Sequence, residues 1–527
     1  MRDRGVIHEV RPGTHGTTGG AGRAPSAGAA PGNPLPLLAA VSAAFTLVHL
    51  TLIAPGLGWD ETVYVSQVSP QAPAAYFSAP RARGITWLVA PLTAVTTSVT
   101  ALRLCLAVLA GCGLFLALWA WRRLLPAPVL AVAGGLFAGL WITMFYASQA
   151  MPNLWVAYGA LAAVGCFLRV VRDPGDRWAA AGLAAGVAFA ALMRPTDAVW
   201  LALPLAAAAL VPRIRRRGLP LAALGAGLAA GCAPWAVEAY LSYGGLAARL
   251  DRASEIQGRL GWYFAVDDHV RALGGRTLCR PCDVPWRYPA AALWFFALPL
   301  LVAAGVRAAA RDGGRRRTAL VLATVVGAAL AAPYLFTVGY AAPRFLLPAY
   351  ALLALPVAYG LVRACRPRPR GRRLVVGLVA VALIAHLAIQ YRLADSTADR
   401  VRREAADLGR VAAELRALGL RPPCVVSGTE SIRVAFRTGC ASRQPAGPNR
   451  SITPDELVET ALRRPVAILV PDGVPPPSYA RDWPAHPLPD LGRWTGLRAY
   501  VSVSRAASPD ARGRGSRSGR SRRVRPW

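Results

Sequence analysis

Lysine is absent from this chain: all 60 basic residues are arginine. In a chain that uses arginine everywhere, the choice of arginine is by itself no sign of bidentate anion binding. Acids are also scarce, 27 against those 60, which leaves a formal charge of +33. There is no Walker-type phosphate loop, no GxGxxG turn between strand and helix, no GxSxG elbow and no HExxH helix. The chemistries those motifs carry have no support here, nucleotide-driven chemistry first of all. No small-residue cleavage site follows a short apolar core, so the first apolar run reads as a retained span and not as a signal peptide. A second CxxC to complete a zinc site around Cys279-Arg280-Pro281-Cys282 is missing as well.

What is present is apolar surface. The 527 residues are 54% hydrophobic and the mean hydropathy is +0.37, too high for an ordinary soluble enzyme. Apolar runs of about 17–25 residues read as membrane spans. The candidate runs are Leu35–Ile53, Ala101–Trp121, Ala127–Phe145, Leu154–Val171, Trp178–Met193, Ala198–Val211, Leu219–Val237, Ala290–Val306, Thr318–Val338, Phe345–Val362 and Leu374–Gln390, of which Trp178–Met193 and Ala198–Val211 are short and read as a tilted or shallow hairpin. The sequence therefore predicts a polytopic α-helical membrane protein of about eleven transmembrane helices. Gly84 to Val99 is apolar but holds Pro91 and a Thr/Ser-rich end, and is read as lying in the interface.

Arginine position sets the expected sidedness. One set of short loops holds Arg122 and Arg123; Arg169, Arg172 and Arg177; Arg213 and Arg215 to Arg217; Arg307, Arg311 and Arg315 to Arg317; and Arg363, Arg366, Arg368, Arg370, Arg372 and Arg373. The opposite short loops hold only Arg81, Arg83, Arg194 and Arg344. The positive-inside rule places the first set in the cytoplasm, with the N-terminus, in a cell (plasma) membrane. The charge is thus explained by topology and membrane lipid, and nucleic acid is not expected as a partner.

The domain reading follows. Residues 1–34 form a Gly/Pro/Ala-rich disordered tail, and 35–390 the membrane domain with outside loops 54–100 and 238–289. Residues 391–510 form a small extracytoplasmic α/β domain, and 511–527 a disordered basic tail. In the α/β domain, Cys424-Val425-Val426 and Val466 to Val470 read as buried strands. Asp399 to Leu418 reads as a helix, and Thr453-Pro454-Asp455-Glu456 as a helix start. Cys279, Cys282, Cys424 and Cys440 fall outside as two local pairs, and two disulfides are the simplest account. A zinc site using His269 and Asp283 is the competing reading of the first pair.

Candidate chemistry collects on the expected outer face. Gly58-Trp59-Asp60-Glu61-Thr62-Val63-Tyr64 places two carboxylates just beyond the first span, where an unpaired charge is costly. Asp60 can accept a proton from a substrate hydroxyl, and Glu61 can hold a divalent metal or orient the acceptor. A solvated acid pair is the bland alternative. Arg81 and Arg83 suit a phosphate, or equally an anchor on anionic lipid. Gln149 and Asn153, in the turn from Phe145, can hydrogen-bond a sugar or simply cap a turn. Arg194 and Asp197 can pair with each other. Tyr340 and Arg344, bracketed by Pro343 and Pro348, suit a lipid-linked phosphate and its sugar, or an interfacial anchor.

An acidic pair in the first outside loop, an interfacial segment, about eleven spans and an outside C-terminal domain together resemble the GT-C superfamily of membrane glycosyltransferases. The nearest likeness is to the protein O-mannosyltransferases and the lipid A aminoarabinose transferase. Asp60-Glu61 with Tyr64, Arg81 to Leu92, and Gly339 to Pro348 carry it. The chain departs from a Lys-Pro-Pro-like step of several relatives, reading Ala79-Pro80-Arg81-Ala82-Arg83-Gly84 instead. The resemblance implies inverting transfer of a sugar from a polyprenyl-phosphate donor to an extracytoplasmic acceptor on a glycan, lipid or protein. Asp60 would be the base, with Arg344 and one of Arg81 or Arg83 on the phosphate; relatives differ on metal. A lipid-carrier flippase or transporter, or an inactive scaffold of this fold, is the alternative. The flippase or transporter predicts mid-membrane polar groups and internal repeats, neither of which is evident; the inactive scaffold stays open.

Overall fold

The computed structural model describes residues 33–211, 218–286, 288–365 and 372–502. The expected tails at 1–34 and 511–527 and the arginine clusters at 213–217 and 366–370 lie wholly or almost wholly outside the described residues.

The first half of the chain runs α1 (Leu35–Leu50), α2 (Trp59–Ser66), α3 (Gly84–Thr93), α4 (Val99–Trp119), α5 (Ala127–Ala138), α6 (Trp141–Tyr146), α7 (Asn153–Arg172), α8 (Arg177–Met193), α9 (Pro195–Ala209) and α10 (Gly218–Ser242). The second continues with α11 (Leu246–Ile256), α12 (Val266–Ala272), α13 (Leu293–Arg311), α14 (Gly314–Phe336), α15 (Leu347–Ala364) and α16 (Arg372–Ala417). Among the described residues, seven of these (α4, α7, α10, α13, α14, α15 and α16) are long and apolar enough to cross a membrane. Helices α1, α5, α8 and α9 are apolar but shorter. The chain is an integral membrane protein with a helical bundle at its centre.

Helix α7 is buried on every side and forms the axis of the bundle. Its neighbours approach closely because small residues line the contacts, as they do between membrane helices generally. A side chain at Gly159 of α7 would lie 2.9 Å from the carbonyl oxygen of Gly186 on α8. At Gly305 of α13 it would meet the Pro356 carbonyl of α15 at 1.8 Å, so only glycine fits. Outward positions such as Leu116, Leu300 and Val381 leave large apolar surface exposed.

Three boundaries differ from the sequence reading. The expected span Ala127–Phe145 is two helices, broken after Ala138, and the break is held by Gln390 of α16, whose Oε1 accepts from the Trp141 amide at 2.9 Å. The interfacial segment forms only α3, ten residues long. At 1.5 Å per residue it is far too short to cross. The last span and the helix expected at Asp399 to Leu418 are one helix, the 46-residue α16, which carries the chain out of the bundle into the sheet.

That sheet is built from β1 (Val425–Gly428), α17 (Ser431–Thr438), β2 (Ala441–Ser442), α18 (Pro454–Arg463), β3 (Val466–Val470), β4 (Ala485–Pro487) and β5 (Arg498–Val501). The strand order is β2-β1-β3-β5-β4, with β2, β1 and β3 parallel and β5 and β4 antiparallel. The β3 residues are buried throughout, as a central strand requires. Helix α18 starts as its sequence indicates: the Glu456 amide donates to Thr453 Oγ1 at 3.2 Å, and the Thr453 amide to Glu456 Oε2 at 2.8 Å. A Cys424–Cys440 disulfide ties β1 to the end of α17.

Candidate active site

Helix α2 lies at the end of the bundle that also carries α3, α11, α12 and the sheet. Gly58 is its N-cap, and the Gly58 amide donates to Glu61 Oε2 at 2.8 Å, so the third helical residue reaches back to close the first turn. This sends the two adjacent acids into different environments. Glu61 is 2% exposed, whereas a third of the Asp60 side chain remains accessible.

Glu61 is held by Arg103, a fully buried residue of α4. Nη2 of Arg103 donates to Oε2 at 2.8 Å and Nη1 to Oε1, and the Ala150 amide donates to Oε1 at 2.6 Å. Arg103 also donates to the carbonyls of Ala54 at 3.2 Å and Ser148 at 2.7 Å, and to that of Gly56. Every donor of this guanidinium is used, and one ion pair joins the 54–56 segment, α2, α4 and the 148–150 turn. Each Glu61 oxygen already accepts two hydrogen bonds, which leaves no lone pair for a metal. Among the described residues no group of three or more His, Cys, Asp or Glu is placed to hold one either. The residues do not fit a divalent ion on Glu61.

Asp60 is bound from two remote parts of the chain. Arg81 Nη2 donates to Oδ1 at 2.7 Å and Arg344 Nη2 to Oδ2 at 3.0 Å. Arg81 is steadied by Ser78 Oγ at 3.0 Å and by the rings of Trp59 and Tyr64, 5.6 and 5.1 Å from its guanidinium carbon. Arg344 Nη1 donates to the Thr277 carbonyl at 3.1 Å and to the Tyr146 hydroxyl at 3.3 Å. Burial alone would raise the Asp60 pKa, but Arg81 and then Arg344, with Arg194 farther off, hold it below the ordinary carboxylate value. Two guanidiniums on one carboxylate leave an excess positive charge beside an accessible acid.

The structure separates Arg83 from Arg81. Arg83 donates to Glu238 Oε1 at 2.5 and 3.0 Å and to Gln67 at 2.9 Å, and it lies over Phe77. Buried Arg249 completes that cluster, bonding Glu238 at 2.9 Å and the carbonyls of Ala79 and Arg81 at 3.1 and 2.9 Å. The cluster fixes the backbone on which Arg81 sits and does not touch Asp60.

The other candidates fall around this pair. Arg194 forms an ion pair with Asp197 at 3.0 Å and donates to the Tyr334 hydroxyl at 2.8 Å. Gln149 and Asn153 are buried on the turn that grips Glu61, and neither amide atom of Asn153 has a hydrogen-bond partner among the described residues. Tyr340 packs edge-on against Phe345 with the Arg280 guanidinium 4.7 Å from its ring centre. Cys279 and Cys282 form a disulfide, which replaces the zinc reading. The Cys279 amide donates to the Ala341 carbonyl at 2.8 Å and the Ala341 amide to Cys279 at 3.2 Å, so this loop braces the segment that delivers Arg344. Nearby His269 is buried, its Nε2 3.3 Å from the Tyr334 carbonyl, and burial lowers its pKa to about 4.

No family model matches the chain, and no curated protein is detectably similar in sequence. Among solved structures it is similar to ArnT from Cupriavidus metallidurans bound to undecaprenyl phosphate: TM-score 0.64 and 14% identity, covering 90% of this chain and 99% of that one. Apo ArnT from the same organism gives a TM-score of 0.61 at 15% identity with the same coverage. The archaeal oligosaccharyltransferase AglB from Archaeoglobus fulgidus, in complex with an inhibitory peptide and a dolichol-phosphate, gives 0.49 at 13%, over 82% of this chain and 69% of that one. At these identities the ArnT likeness establishes the fold, and the GT-C resemblance read in the sequence is borne out at that level.

Proposed function

We propose that this chain is a glycosyltransferase that moves a sugar from a polyprenyl-phosphate donor to a hydroxyl of an extracytoplasmic acceptor, with inversion. The observation that carries the proposal is the convergence on accessible Asp60 of Arg81 and Arg344, one before α3 and one before α15. ArnT, whose fold the chain shares over nearly all of its length, has been captured with undecaprenyl phosphate, which supports a lipid phosphate as the donor's handle.

The chemistry follows from the charges. A donor phosphate entering beside Asp60 competes for Arg81 and Arg344, and planar guanidinium forks suit its oxygens. As the arginines turn toward the phosphate, Asp60 loses the donors that depress its basicity and becomes a better proton acceptor. An acceptor hydroxyl then gives its proton to Asp60 and attacks the anomeric carbon from the face opposite the phosphate. The bond from that carbon to the phosphate oxygen breaks with its electron pair, releasing polyprenyl phosphate, and the two arginines stabilise the charge that develops there. Tyr64, Tyr340, Arg194, Gln149 and Asn153 are assigned to the walls that hold sugar and acceptor. Arg83 and Glu61 are assigned to positioning: Arg83 through the segment that carries Arg81, Glu61 through its clamp on Arg103.

The α2 end, with both disulfides and the sheet, is assigned to the outside of the cell membrane and the N-terminus to the cytoplasm. Arginine asymmetry and an oxidising space for the cystines both favour this. The test is to give membranes containing the protein radiolabelled sugar on either polyprenyl phosphate or a nucleotide. Label should reach acceptor from the lipid donor alone; transfer from the nucleotide sugar without a lipid intermediate would refute the reading.

A further inference from the structure

A second polar site lies on the other side of α2. A cleft of about 320 Å³ opens where α16 and α17 face the turn between α3 and α4, and Arg416, Arg433 and Arg437 line it together with Thr97 and Thr100. Thr62 also faces this cleft. At 100° per residue, Thr62 and Asp60 point to opposite sides of the helix, so the cleft is distinct from the reaction site.

Charge in the cleft is unbalanced. Arg433 holds two acids, Glu404 at 3.0 Å and Glu430 at 2.8 Å. Arg437 has no acidic partner among the described residues, and Arg416 spends one donor on the Arg437 carbonyl. Three guanidiniums thus face two carboxylates, both of them committed to one arginine. Burial, and then the like charges of Arg433 and Arg416, disfavour the charge on Arg437. A charge held in place against its neighbours is relieved by an anion. The other wall supplies hydroxyls where α4 enters the bundle, the level at which lipid headgroups meet a membrane helix. Gln71 is held in the lining by its bond to the Phe436 carbonyl at 3.1 Å, which ties the bundle to the sheet domain beside the arginines.

We propose that this cleft binds a phosphate group, on a lipid headgroup or free, through Arg437 and Arg416, and that the bound phosphate bridges the bundle and the sheet domain. The forked donors of two arginines on one wall and the hydroxyls of Thr97 and Thr100 on the other suit the several oxygens of a tetrahedral phosphate. The site goes beyond the proposed transfer reaction, and its test reads binding and not turnover.

The full chain in uncharged detergent is titrated with inorganic phosphate and, separately, with short-chain phosphatidylglycerol, with phosphatidylcholine as reference. Retained ligand is counted by native mass spectrometry, and the shift in thermal midpoint gives affinity. Wild type should bind at least one of the two anionic probes. Arg437→Gln and Thr100→Glu should each weaken that binding about tenfold or more, and Arg463→Gln, on the far side of the sheet domain, should leave it unchanged. Binding of the lipid alone identifies a headgroup site, of phosphate alone a free-anion site, and of both a site that reads the phosphate whatever carries it. Thr100→Glu leaves every arginine in place and decides the matter if Arg437→Gln does not fold. No binding of either probe, or binding at wild-type strength in Thr100→Glu, overturns the proposal.

Discussion

Asp60 and Glu61 are neighbours with opposite fates, and the difference is a matter of which donors reach each one. Glu61 is saturated by Arg103, Gly58 and Ala150 and is closed to solvent. Breaking a buried ion pair by removing one partner costs about 3–5 kcal/mol, because the other charge stays buried. Arg103→Leu should therefore lower the thermal midpoint sharply, and adding Glu61→Leu should recover part of the loss; equal stability of Arg103→Leu and wild type would contradict the clamp. Asp60 is held by two arginines and stays accessible. Its depressed pKa keeps it ionised, and so able to accept a proton, from neutral pH down past the usual carboxylate value near 3.9. Arg344→Gln removes one cause of that depression, so the acid limb of the kcat/KM profile should move up in pH, while maximal kcat falls about 10²- to 10³-fold. An unshifted acid limb would count against Asp60 as the titrating base. The sequence singles out Asp60 and Arg344, which the fold brings together, and Glu61 beside them, but it leaves Arg81 and Arg83 undivided, because their alternate spacing does not say which way each side chain turns. It missed Arg103 altogether. That residue stands third in an apolar run, and a lone cation in an otherwise uncharged span was the available signal.

At the scale of elements, the site depends on short pieces braced from behind. Helix α2 is eight residues long and owes its place to the Arg103 clamp. The segment delivering Arg344 is braced by the Cys279–Ala341 bridge and by α12, whose His269 packs under the α14 terminus. His269 titrates near 6.5 when unfolded and at about 4 when folded, so the unfolded chain binds more protons between those values. Stability should fall as pH drops from 6.5 to 4, at a limiting slope of about 1.4 kcal/mol per pH unit from this residue. His269→Gln should flatten that part of the thermal-midpoint profile; an unchanged slope would mean that His269 is not held neutral. Helix existence was legible because apolar runs of this length have few other solutions. The break after Ala138 was not, since it rests on Gln390, more than two hundred residues away. The continuity of α16 was obscured because its C-terminal half changes from apolar to charged at the point where the bundle ends, and such a change reads as a boundary although the backbone continues.

At the scale of the molecule, topology and chemistry constrain each other. A donor carried on a lipid makes sense only if the Asp60 face opens outside the cell, away from soluble nucleotide sugars. A membrane-impermeant maleimide should label a cysteine at exposed Ala74 in intact cells and miss one at Gly314 until the membrane is opened. The reverse pattern would place the site in the cytoplasm and remove the case for a lipid donor. The central claim, that Asp60 is the base and not a partner for the donor, is tested most directly by comparing Asp60→Asn with wild type in both donor binding and single-turnover transfer. Loss of the acid frees Arg81 and Arg344 for the phosphate, so donor binding should persist or tighten while transfer falls about 10²- to 10⁴-fold. Transfer at the wild-type rate in Asp60→Asn would contradict the account.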